Sequence, residues 1–255
     1  MAAKIRADQL LAEQGLAESR EQGKRLIMAG RAQMLVDGEL RLVDKPGRFL
    51  PLETILRITA QERFVSRGGE KLLTALDHFA LDVRGMIALD VGASTGGFTD
   101  CLLQHGAVRV YSLDVGRGQL HWRLRQDPRV VNLEGVNFRR AGPDLLPEAV
   151  DLIVADCSFI SLRLILPPSL QFLKPQGHII ALVKPQFEAG PRATVKGVIR
   201  DSSLRERLLS EVIRFARDQL GLGCLGSVPA RILGPKGNQE YLIWLRRSPS
   251  AVPAA

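Results

Sequence analysis

Cysteine is scarce in this sequence. Only three of the 255 residues are cysteines, at positions 101, 157 and 224, and no two of them form a Cys-x-x-Cys motif. Three widely spaced cysteines indicate neither a disulfide framework nor a zinc site, because both need partners at characteristic spacings. We therefore expect no metal centre and no stabilisation by disulfide bonds.

Long apolar runs are also lacking. No segment approaches the roughly 20 apolar residues that a membrane-spanning helix needs. The first 15 residues, MAAKIRADQLLAEQG, carry charges throughout and contain no apolar stretch of the kind found in a signal peptide. The sequence thus predicts a cytoplasmic protein without a membrane partner.

Acidic residues are the minority charge. There are 35 Lys and Arg residues against 27 Asp and Glu, which gives a formal net charge of +8, and 45% of the residues are hydrophobic. This apolar content is sufficient for a folded core. The positive charge favours an anionic partner, with nucleic acid first and an acidic membrane surface second. An ordinary basic soluble protein is the alternative.

A change in the residue pattern along the sequence predicts two domains. The first should contain two helices and then a small sheet, with Ser19 and Gln22 in a capping-box pattern at the start of the second helix. Turns are expected at Asp37-Gly38 and Pro46-Gly47. The predicted segments are a small α+β domain at 1–62, a linker at 63–68, a second domain at 69–247 and a disordered tail at 248–255.

The second domain alternates apolar strands with helical segments. Such alternation predicts an α/β fold of the Rossmann-like type, in which five parallel strands have helices on both faces. The last two strands, in CLGSVPARIL and EYLIWLRR, are joined only by GPKGNQ. Because a parallel crossover needs a dozen or more residues, this C-terminal pair must be antiparallel.

A glycine-rich turn follows the first of these strands, in ALDVGASTGGFTD. The strand ends at Asp90, and Phe98 begins a helix. Glycines at 92, 96 and 97 are expected to let the backbone approach a ligand. The spacing is not the dinucleotide motif Gly-x-Gly-x-x-Gly, because position 94 is serine. It resembles the first motif of S-adenosylmethionine-dependent methyltransferases; a turn without a ligand is the alternative.

Two further residues suit a nucleoside ligand. Asp114 ends the next strand, 24 residues after Asp90, and an acid at that place is suited to hydrogen bonding with a ribose diol. Asn137 follows the third strand and lies either beside the adenine end of the pocket or in an ordinary loop.

Three charged residues stand at strand ends. Asp156 ends the fourth strand, Lys184 ends the fifth, and Glu240 begins the last one. Ligands of open α/β sheets bind beyond the carboxyl ends of the parallel strands. If the fourth, fifth and last strands adjoin, the three side chains converge there. Lys71 lies at the edge of a helical apolar stripe, where a solvated position is the commoner outcome.

These residues resemble a known set. Lys71, Asp156, Lys184 and Glu240 stand in the order and contexts of the Lys-Asp-Lys-Glu set of FtsJ-like ribose 2′-O-methyltransferases. From about residue 4 to 247 the chain also resembles the TlyA family, ribosomal RNA cytidine-2′-O-methyltransferases that also carry the name haemolysin. The segments that carry this resemblance are VSRGGEKL, ALDVGASTGGFTD, DVGRGQLHWRLRQDPRV, DLIVADCSFISL, VKPQFE, KGVIRD and GNQEYL.

The resemblance extends to the first domain. RADQLLAEQGLAESREQGKRLIMAG is similar to the RNA-binding module of a small-subunit ribosomal protein. The usual Val-x-Val-Asn-Gly strand and turn is here QMLVDG, a mild departure.

The resemblance implies a cofactor, S-adenosylmethionine, and a role for each residue of the set. Lys184 would be the base that deprotonates the ribose hydroxyl, Asp156 would orient it, and Lys71 and Glu240 would orient the ribose. A lysine is a base near neutral pH only if its pKa falls from about 10.4 towards neutrality, and the sequence leaves open which lysine does so. The implied cofactor contacts are Asp90, Gly92, Ser94, Thr95, Gly96, Gly97, Phe98, Asp114, Asn137 and Asp156.

Two other methyltransferase chemistries fit less well. Cytosine-C5 enzymes use a cysteine near the end of the fourth strand, often after a proline, but Cys157 stands in ADCSF without one. Enzymes acting on base amines prefer Asn/Asp-Pro-Pro-Tyr/Phe at this place, and DCSF lacks both prolines.

Basic residues predict an RNA-binding surface, because phosphate contacts supply most of the affinity for nucleic acid. A solvated basic face is the alternative for any one of them. The loop from Arg192 to Arg200 is expected to be mobile without RNA, and residues 61–68 either orient the two domains or merely tether them. The candidate RNA-binding residues are Arg20, Lys24, Arg25, Arg31, Arg67, Arg123 and Arg200.

Three functions are thus open. The first is ribose methylation of ribosomal RNA or ribosomal subunits by a monomeric enzyme. The second is a non-enzymatic RNA-binding or haemolysin-like role, which the lack of export and membrane signals disfavours. The third is methylation of a small molecule, against which the RNA-binding module argues.

Overall fold

A computed structural model describes residues 3–28, 30–59, 63–189 and 197–247. The chain divides into two compact units, Met1–Glu62 and Arg63–Ala255. The tail at 248–255 lies outside the described residues, as does most of the loop that we expect to be mobile, at 192–196.

The first unit has two helices and five short strands. In chain order these are β1 (Lys4–Arg6), α1 (Ala7–Glu13), α2 (Arg20–Met28), β2 (Ala32–Val36), β3 (Glu39–Leu42), β4 (Phe49–Pro51) and β5 (Leu56–Ile58). β2 pairs antiparallel with β3 and β5, and β1 pairs antiparallel with β4. The β1–β4 pair was not expected from the sequence, since KIR is too short to show an alternation.

Local signals explain most of this unit. Asp37 and Gly38 both have positive φ, 52° and 81°, which is the conformation of a tight hairpin turn. Ser19 Oγ accepts the Gln22 backbone N–H at 3.2 Å, as in a capping box. The return bond differs from that motif, because the Gln22 side chain accepts the backbone N–H of Glu18.

The described part of the second unit mostly alternates strands and helices. Its elements are α3 (Gly68–Phe79), β6 (Ile87–Val91), α4 (Gly97–Gln104), β7 (Arg109–Asp114), α5 (Trp122–Arg125), β8 (Val130–Glu134), β9 (Val150–Ala155), α6 (Leu166–Ser169), β10 (Leu173–Val183), α7 (Pro185–Glu188), α8 (Ser202–Leu220), β11 (Leu222–Pro229) and β12 (Tyr241–Arg247). Within these described residues, β8 and β9, and β11 and β12, are joined without an α-helix between them.

The strands form one seven-stranded, mostly parallel sheet in the order β11-β12-β10-β9-β6-β7-β8. β6 pairs parallel with β7 and β9, β7 with β8, and β9 with β10. β12 is antiparallel to both β10 and β11, as the short connection between the last two strands predicts. β9, β10 and β12 are therefore neighbours.

Two apolar layers cover this sheet. Successive strand residues point to opposite faces, so Ala88 of β6 joins one core cluster and Leu89 joins the other. Leu72 and Leu102, from α3 and α4, are fully buried on one face, and Val212 of α8 on the other. The helices thus fix the loops at the carboxyl ends of the strands, where ligands of such sheets bind.

The segment at 63–68, predicted as a linker, packs on the second unit. The Phe64 ring is buried in the same core cluster as Leu72. The Val65 backbone N–H donates to Asp100 Oδ2 at 2.8 Å, and Gln104 Nε2 donates to the Arg63 carbonyl. The sequence did not reveal this, because RFVSRG has too few apolar residues to show a periodicity.

Candidate active site

Lys184 lies immediately after β10 and is paired with Asp156, which follows β9. Lys184 Nζ lies 2.6 Å from Asp156 Oδ1 and donates a hydrogen bond to Ser158 Oγ at 2.7 Å. Because Asp156 Oδ1 accepts no aligned hydrogen bond, the contact between the two side chains is chiefly electrostatic. Lys184 is 6% exposed, so this charge pair is held largely away from water.

Lys71 is buried as well, and it pairs with Glu240. Lys71 Nζ of α3 donates to Glu240 Oε2 at 2.6 Å, and the two residues are 8% and 0% exposed. Gln186 Nε2 approaches the other oxygen of the same carboxylate at 3.4 Å. The solvated position that the edge of the apolar stripe suggests for Lys71 is therefore wrong, because α3 turns that edge towards β12.

The two ion pairs differ from the arrangement expected from strand ends alone. The strand ends predict only that Asp156, Lys184 and Glu240 converge, whereas the structure pairs Lys184 with Asp156 and Glu240 with Lys71. Both lysines and Asp156 line one cavity of about 300 Å³, together with Arg67. Glu240 has its carboxylate against Gly234, where an added Cβ would lie 2.2 Å from Glu240 Oε1.

Asp90 forms the floor beside this cavity. Its Oδ2 accepts hydrogen bonds from the Thr99 backbone N–H at 2.9 Å and from Thr99 Oγ1 at 2.7 Å. Its Oδ1 is buried and accepts no hydrogen bond from any described residue. Burial raises the pKa of the Asp90 carboxyl to about 7, and the charges of Asp156 and Asp114 act in the same direction.

The glycines of the turn make room for protein rather than only for a ligand. A Cβ on Gly96 would lie 2.3 Å from Leu124 Cδ1, and one on Gly97 would lie 2.4 Å from Ser66 Oγ. A Cβ on Gly92 would lie 3.0 Å from the carbonyl oxygen of Asp156. These glycines therefore also let neighbouring loops close on the turn, in addition to the predicted approach of a ligand.

Asp114 organises the far side of the turn. Its Oδ2 accepts the backbone N–H of Ser94 at 2.8 Å, and its Oδ1 accepts that of Gly116 at 2.7 Å. Ser94 itself has a φ of +50°, a conformation that this hydrogen bond stabilises. The carboxylate keeps further lone pairs for a ligand, because an ionised carboxylate has about four acceptor sites.

A second cavity, of about 540 Å³, opens beside Asp114. Asn137 and Phe138 line it with Asp156 and the segment after it. Asn137 Oδ1 also accepts the Arg139 backbone N–H at 3.2 Å and so begins a short 3₁₀ helix at 138–140. Asn137 is thus both a loop residue and a cavity residue, the two alternatives that the sequence leaves open. Thr95 and Phe98 line the first cavity instead.

Sequence reasoning missed several residues of the site. Ser158 binds Lys184, and its position two residues after the strand-end acid is a signal that could have indicated it. Phe159 is 90% exposed with a φ of +64°, and its ring lies 5.1 Å from that of Phe187. An exposed aromatic in a left-handed conformation is costly, but nothing in the sequence marks that conformation.

Cys157 is unsuited to nucleophilic catalysis. Its Sγ contacts the Val91 carbonyl at 3.5 Å, and burial raises the pKa of its thiol to about 12. Since the thiolate is the reactive form of cysteine, this environment agrees with the interpretation of Cys157 as a small residue beside the pocket.

The candidate RNA-binding residues of the first unit differ in exposure and in the contacts that their side chains already make. Lys24 and Arg25 are exposed, with Lys24 Nζ 4.0 Å from Glu21. Arg20 is paired with the buried Asp8 at 3.4 Å. Arg31 is committed to the fold, because its guanidinium donates twice to the Thr59 carbonyl.

In the second unit, Arg67, Arg123 and Arg200 are exposed. Arg67 precedes α3 and lines the smaller cavity, and Arg123 lies on α5. Arg200 immediately precedes Asp201, the N-cap residue of α8.

The described part of the chain offers neither a metal cluster nor a membrane-spanning helix. Within it, no three His, Cys, Asp or Glu side chains are grouped as a metal ion would require. No helix among those residues is both long and apolar enough to cross a membrane.

The sheet order, the glycine turn after β6 and the acids that follow neighbouring strands define a methyltransferase of the α/β class. The chain belongs to the FtsJ-like methyltransferase family, whose model matches residues 64–247. The resemblance drawn from the sequence motifs is thereby confirmed.

Similar proteins extend the match to both units. The chain is 46% identical over 249 residues to the 16S/23S rRNA (cytidine-2′-O)-methyltransferase TlyA of Mycobacterium tuberculosis, a match that covers 96% of this chain and 91% of that protein. It is 39% identical to Hemolysin A of Brachyspira hyodysenteriae, over 93% of this chain and 98% of the other. A solved structure from Streptococcus thermophilus, of a protein provisionally named a hemolysin, has 46% identity and a TM-score of 0.73 over 97% of this chain and 90% of its own.

Proposed function

We propose that this enzyme transfers a methyl group from S-adenosylmethionine to a ribose 2′-hydroxyl, most consistently that of a cytidine, in ribosomal RNA. The observation that carries the proposal is the pair of buried lysine–carboxylate contacts beside the glycine turn. A ribose hydroxyl is a weak nucleophile, so the enzyme must position it and remove its proton. The names of the similar proteins supply the substrate class.

The residues around the turn fit the proposed cofactor. Asp90 Oδ1 is a buried acceptor without a partner, and Asp114 presents a carboxylate at the mouth of the larger cavity. We assign the ribose of the cofactor to Asp114 and its adenine end to the part of that cavity lined by Asn137. The turn residues and Asp156 complete the contacts. When bound, S-adenosylmethionine supplies an electrophilic methyl group on a positively charged sulfur.

Lys184 is the proposed base. It lies at the carboxyl edge of the sheet, lines the smaller cavity, and is held by Ser158 and Asp156. In the proposed reaction the 2′-hydroxyl proton would pass to Lys184 Nζ while the 2′-oxygen takes the methyl carbon, whose bond to the sulfonium sulfur breaks, so that S-adenosylhomocysteine leaves as a neutral thioether. To accept that proton Lys184 must first be neutral, and Asp156 then stabilises the charge that it gains. Lys71, neutralised by Glu240, is assigned to orient the ribose.

We assign RNA binding to the first unit together with the exposed arginines of the second. The net charge of +8 supports this assignment. Lys24 and Arg25 are exposed for phosphate contacts, and Arg20 is held in place by Asp8. Arg31 fits this role least, since its donors already serve the Thr59 carbonyl. We continue to predict that the enzyme is monomeric, lies in the cytoplasm and acts without a metal.

The test is transfer of a labelled methyl group from S-adenosylmethionine to purified ribosomal subunits. Lys184→Ala should lower the rate by about 10²- to 10⁴-fold, the usual contribution of a positioned base. Its affinity for the methyl donor, measured by calorimetry, should change little.

Lys174→Ala is the matched control. Lys174 lies at the other end of β10 and forms its own ion pair with Asp151 at 2.7 Å, so its loss should leave methyl transfer unchanged. A Lys184→Ala enzyme as fast as wild type would refute the assignment of the base. A wild-type enzyme that methylates neither subunits nor free ribosomal RNA would refute the function.

A further inference from the structure

Trp122 is an exposed tryptophan with no evident role in the fold. Trp122 is 63% exposed, whereas tryptophan residues in folded proteins are on average well buried. The other tryptophan, Trp244, behaves as expected: its ring packs against Phe79 at 5.4 Å and His178 at 5.5 Å. Exposure of so large an aromatic surface points to a partner that covers it.

The backbone beneath Trp122 is fixed to the cofactor turn. The His121 N–H donates to the Thr95 carbonyl at 3.2 Å. Leu120 and Leu124 are both 4% exposed and occupy the space that a Cβ on Gly96 would need. Trp122 therefore faces solvent from a segment whose backbone is anchored. A partner that binds the ring does not first have to order that segment.

The surroundings of Trp122 are basic and aromatic. The His121 ring lies 5.9 Å from it. Arg123 and Arg117 are exposed on the same segment, whereas Arg125 is engaged with Glu134 and the Leu120 carbonyl. An exposed aromatic face on a segment that also carries exposed arginines is the chemistry that binds single-stranded nucleic acid, by base stacking and phosphate contact.

The position of Trp122 separates it from the reacting nucleotide. Trp122 lines neither the cavity with both lysines nor the cavity beside Asp114. Its segment nonetheless follows β7 at the carboxyl edge of the sheet, one hydrogen bond away from Thr95, which lines the smaller cavity. A nucleotide stacked there would therefore be close to the site without entering it.

We infer that Trp122 is a stacking platform for an unpaired RNA nucleotide other than the one that is methylated, with Arg123 contacting its phosphate. The inference rests on the proposed function, since it assumes an RNA substrate. Trp122 acts here as a binding residue that helps to set the register of the RNA.

The experiment measures binding of the full-length enzyme to two probes, protein-free 16S and 23S ribosomal RNA and intact small and large subunits. Trp122→Ala should raise both dissociation constants by about fivefold to 100-fold, the effect of losing one base–aromatic stack. Trp122→Phe should restore most of the affinity, because it keeps an aromatic face. The dissociation constant for S-adenosylmethionine should be unchanged in all variants.

Val108→Ala is the control for loss of exposed apolar surface. Val108 is 51% exposed and precedes β7, at the opposite edge of the sheet, so its loss should not affect RNA binding. As a second measurement that needs no alanine variant, RNA should quench the fluorescence of Trp122 in a Trp244→Phe enzyme.

Three results would overturn the inference. Unchanged affinity of a folded Trp122→Ala enzyme for both probes, or absent quenching, would show that no base covers the ring. Weaker binding to subunits with normal binding to protein-free RNA would assign the surface to a ribosomal protein instead. Binding of neither probe by the wild-type enzyme would instead mean that the proposed function itself has failed. The wild-type result thus distinguishes failure of the function from failure of the stacking inference.

Discussion

At the scale of single residues, the site depends on charges that have been taken out of water. Lys71 and Glu240 are both buried, and each compensates the charge that would otherwise make burial of the other costly. Removing one member of such a pair leaves an uncompensated charge, which is far more costly than removing both. Stability and activity can therefore be separated by the choice of substitution.

The Lys71–Glu240 pair gives the first prediction. Glu240→Gln should lower the free energy of unfolding by about 3–5 kcal/mol, because it strands the Lys71 charge. The double variant Lys71→Met, Glu240→Gln should recover most of that loss and yet remain deficient in methyl transfer. Urea denaturation together with the labelled-transfer assay checks both parts. A double variant that regains activity would show that the pair serves only the fold.

Asp90 gives a prediction about pH. Its folded pKa of about 7 lies above the ordinary value of an aspartate, so the folded state binds a proton that the unfolded state releases. The stability contributed by this group is full below about pH 4 and is lost as pH rises towards 7.

The measurement for Asp90 compares unfolding free energies of wild type and Asp90→Asn from pH 4 to pH 8, without methyl donor. Asparagine keeps an acceptor for Thr99 and cannot titrate. The wild type should lose a few kcal/mol relative to the variant across this range. A constant difference between the two enzymes would contradict the raised pKa.

At the scale of elements, the glycine turn between β6 and α4 is a packing joint. Asp114 accepts a backbone N–H of the turn on one side, and Leu120 and Leu124 pack against Gly96 on the other. The loop after β7 and the turn thus form one structural unit. Distortion of either should be felt at the cofactor cavities.

Gly96→Ala tests this joint. Alanine would carry a strained φ of +94° and a Cβ 2.3 Å from Leu124 Cδ1. Gly85→Ala is the matched control, because Gly85 precedes β6 at the other edge of the sheet and has a φ of +76°, and no described atom lies within 4 Å of its added Cβ. Both should lose about 1–2 kcal/mol of stability to the left-handed backbone. Only Gly96→Ala should lose more and also bind the methyl donor more weakly, as thermal denaturation and calorimetry would report. Equal losses would mean that the clash is relieved by local movement.

At the scale of the whole molecule, the chain has two units with separate cores. One cluster is built from α1, α2 and the small strands, including Leu10, Leu11 and Ile27. The seven-stranded sheet has clusters of its own on each face. The family match at 64–247 begins where the second unit begins. Binding of RNA and transfer of the methyl group are therefore expected to separate on truncation.

The truncation prediction concerns a fragment of residues 63–255. It should fold and bind S-adenosylmethionine, since both cavities are lined by its own residues. It should bind ribosomal subunits more weakly and with a smaller dependence on salt, because fewer phosphate contacts release fewer counterions. Filter binding from 50 to 200 mM salt measures the slope. An unchanged slope would exclude the first unit from RNA binding.

The sequence by itself determined the family and the α/β class, and it predicted part of the candidate site. Asp156, Lys184 and Glu240 could be found because strand ends follow from local apolar patterns, and neighbouring strand ends share one edge of a sheet. The glycine turn and its following acid were equally local signals.

Only the tertiary structure decided how these residues are partnered. Lys71 and Glu240 are 169 positions apart, and their contact depends on how α3 packs against β12. The packing of α3 against β12 also buried a lysine whose helical position suggested solvent. Other contacts between distant segments placed residues 63–68 on the second unit and set Leu124 against Gly96. Such contacts depend on side-chain packing between distant elements, which the local pattern of a sequence does not specify.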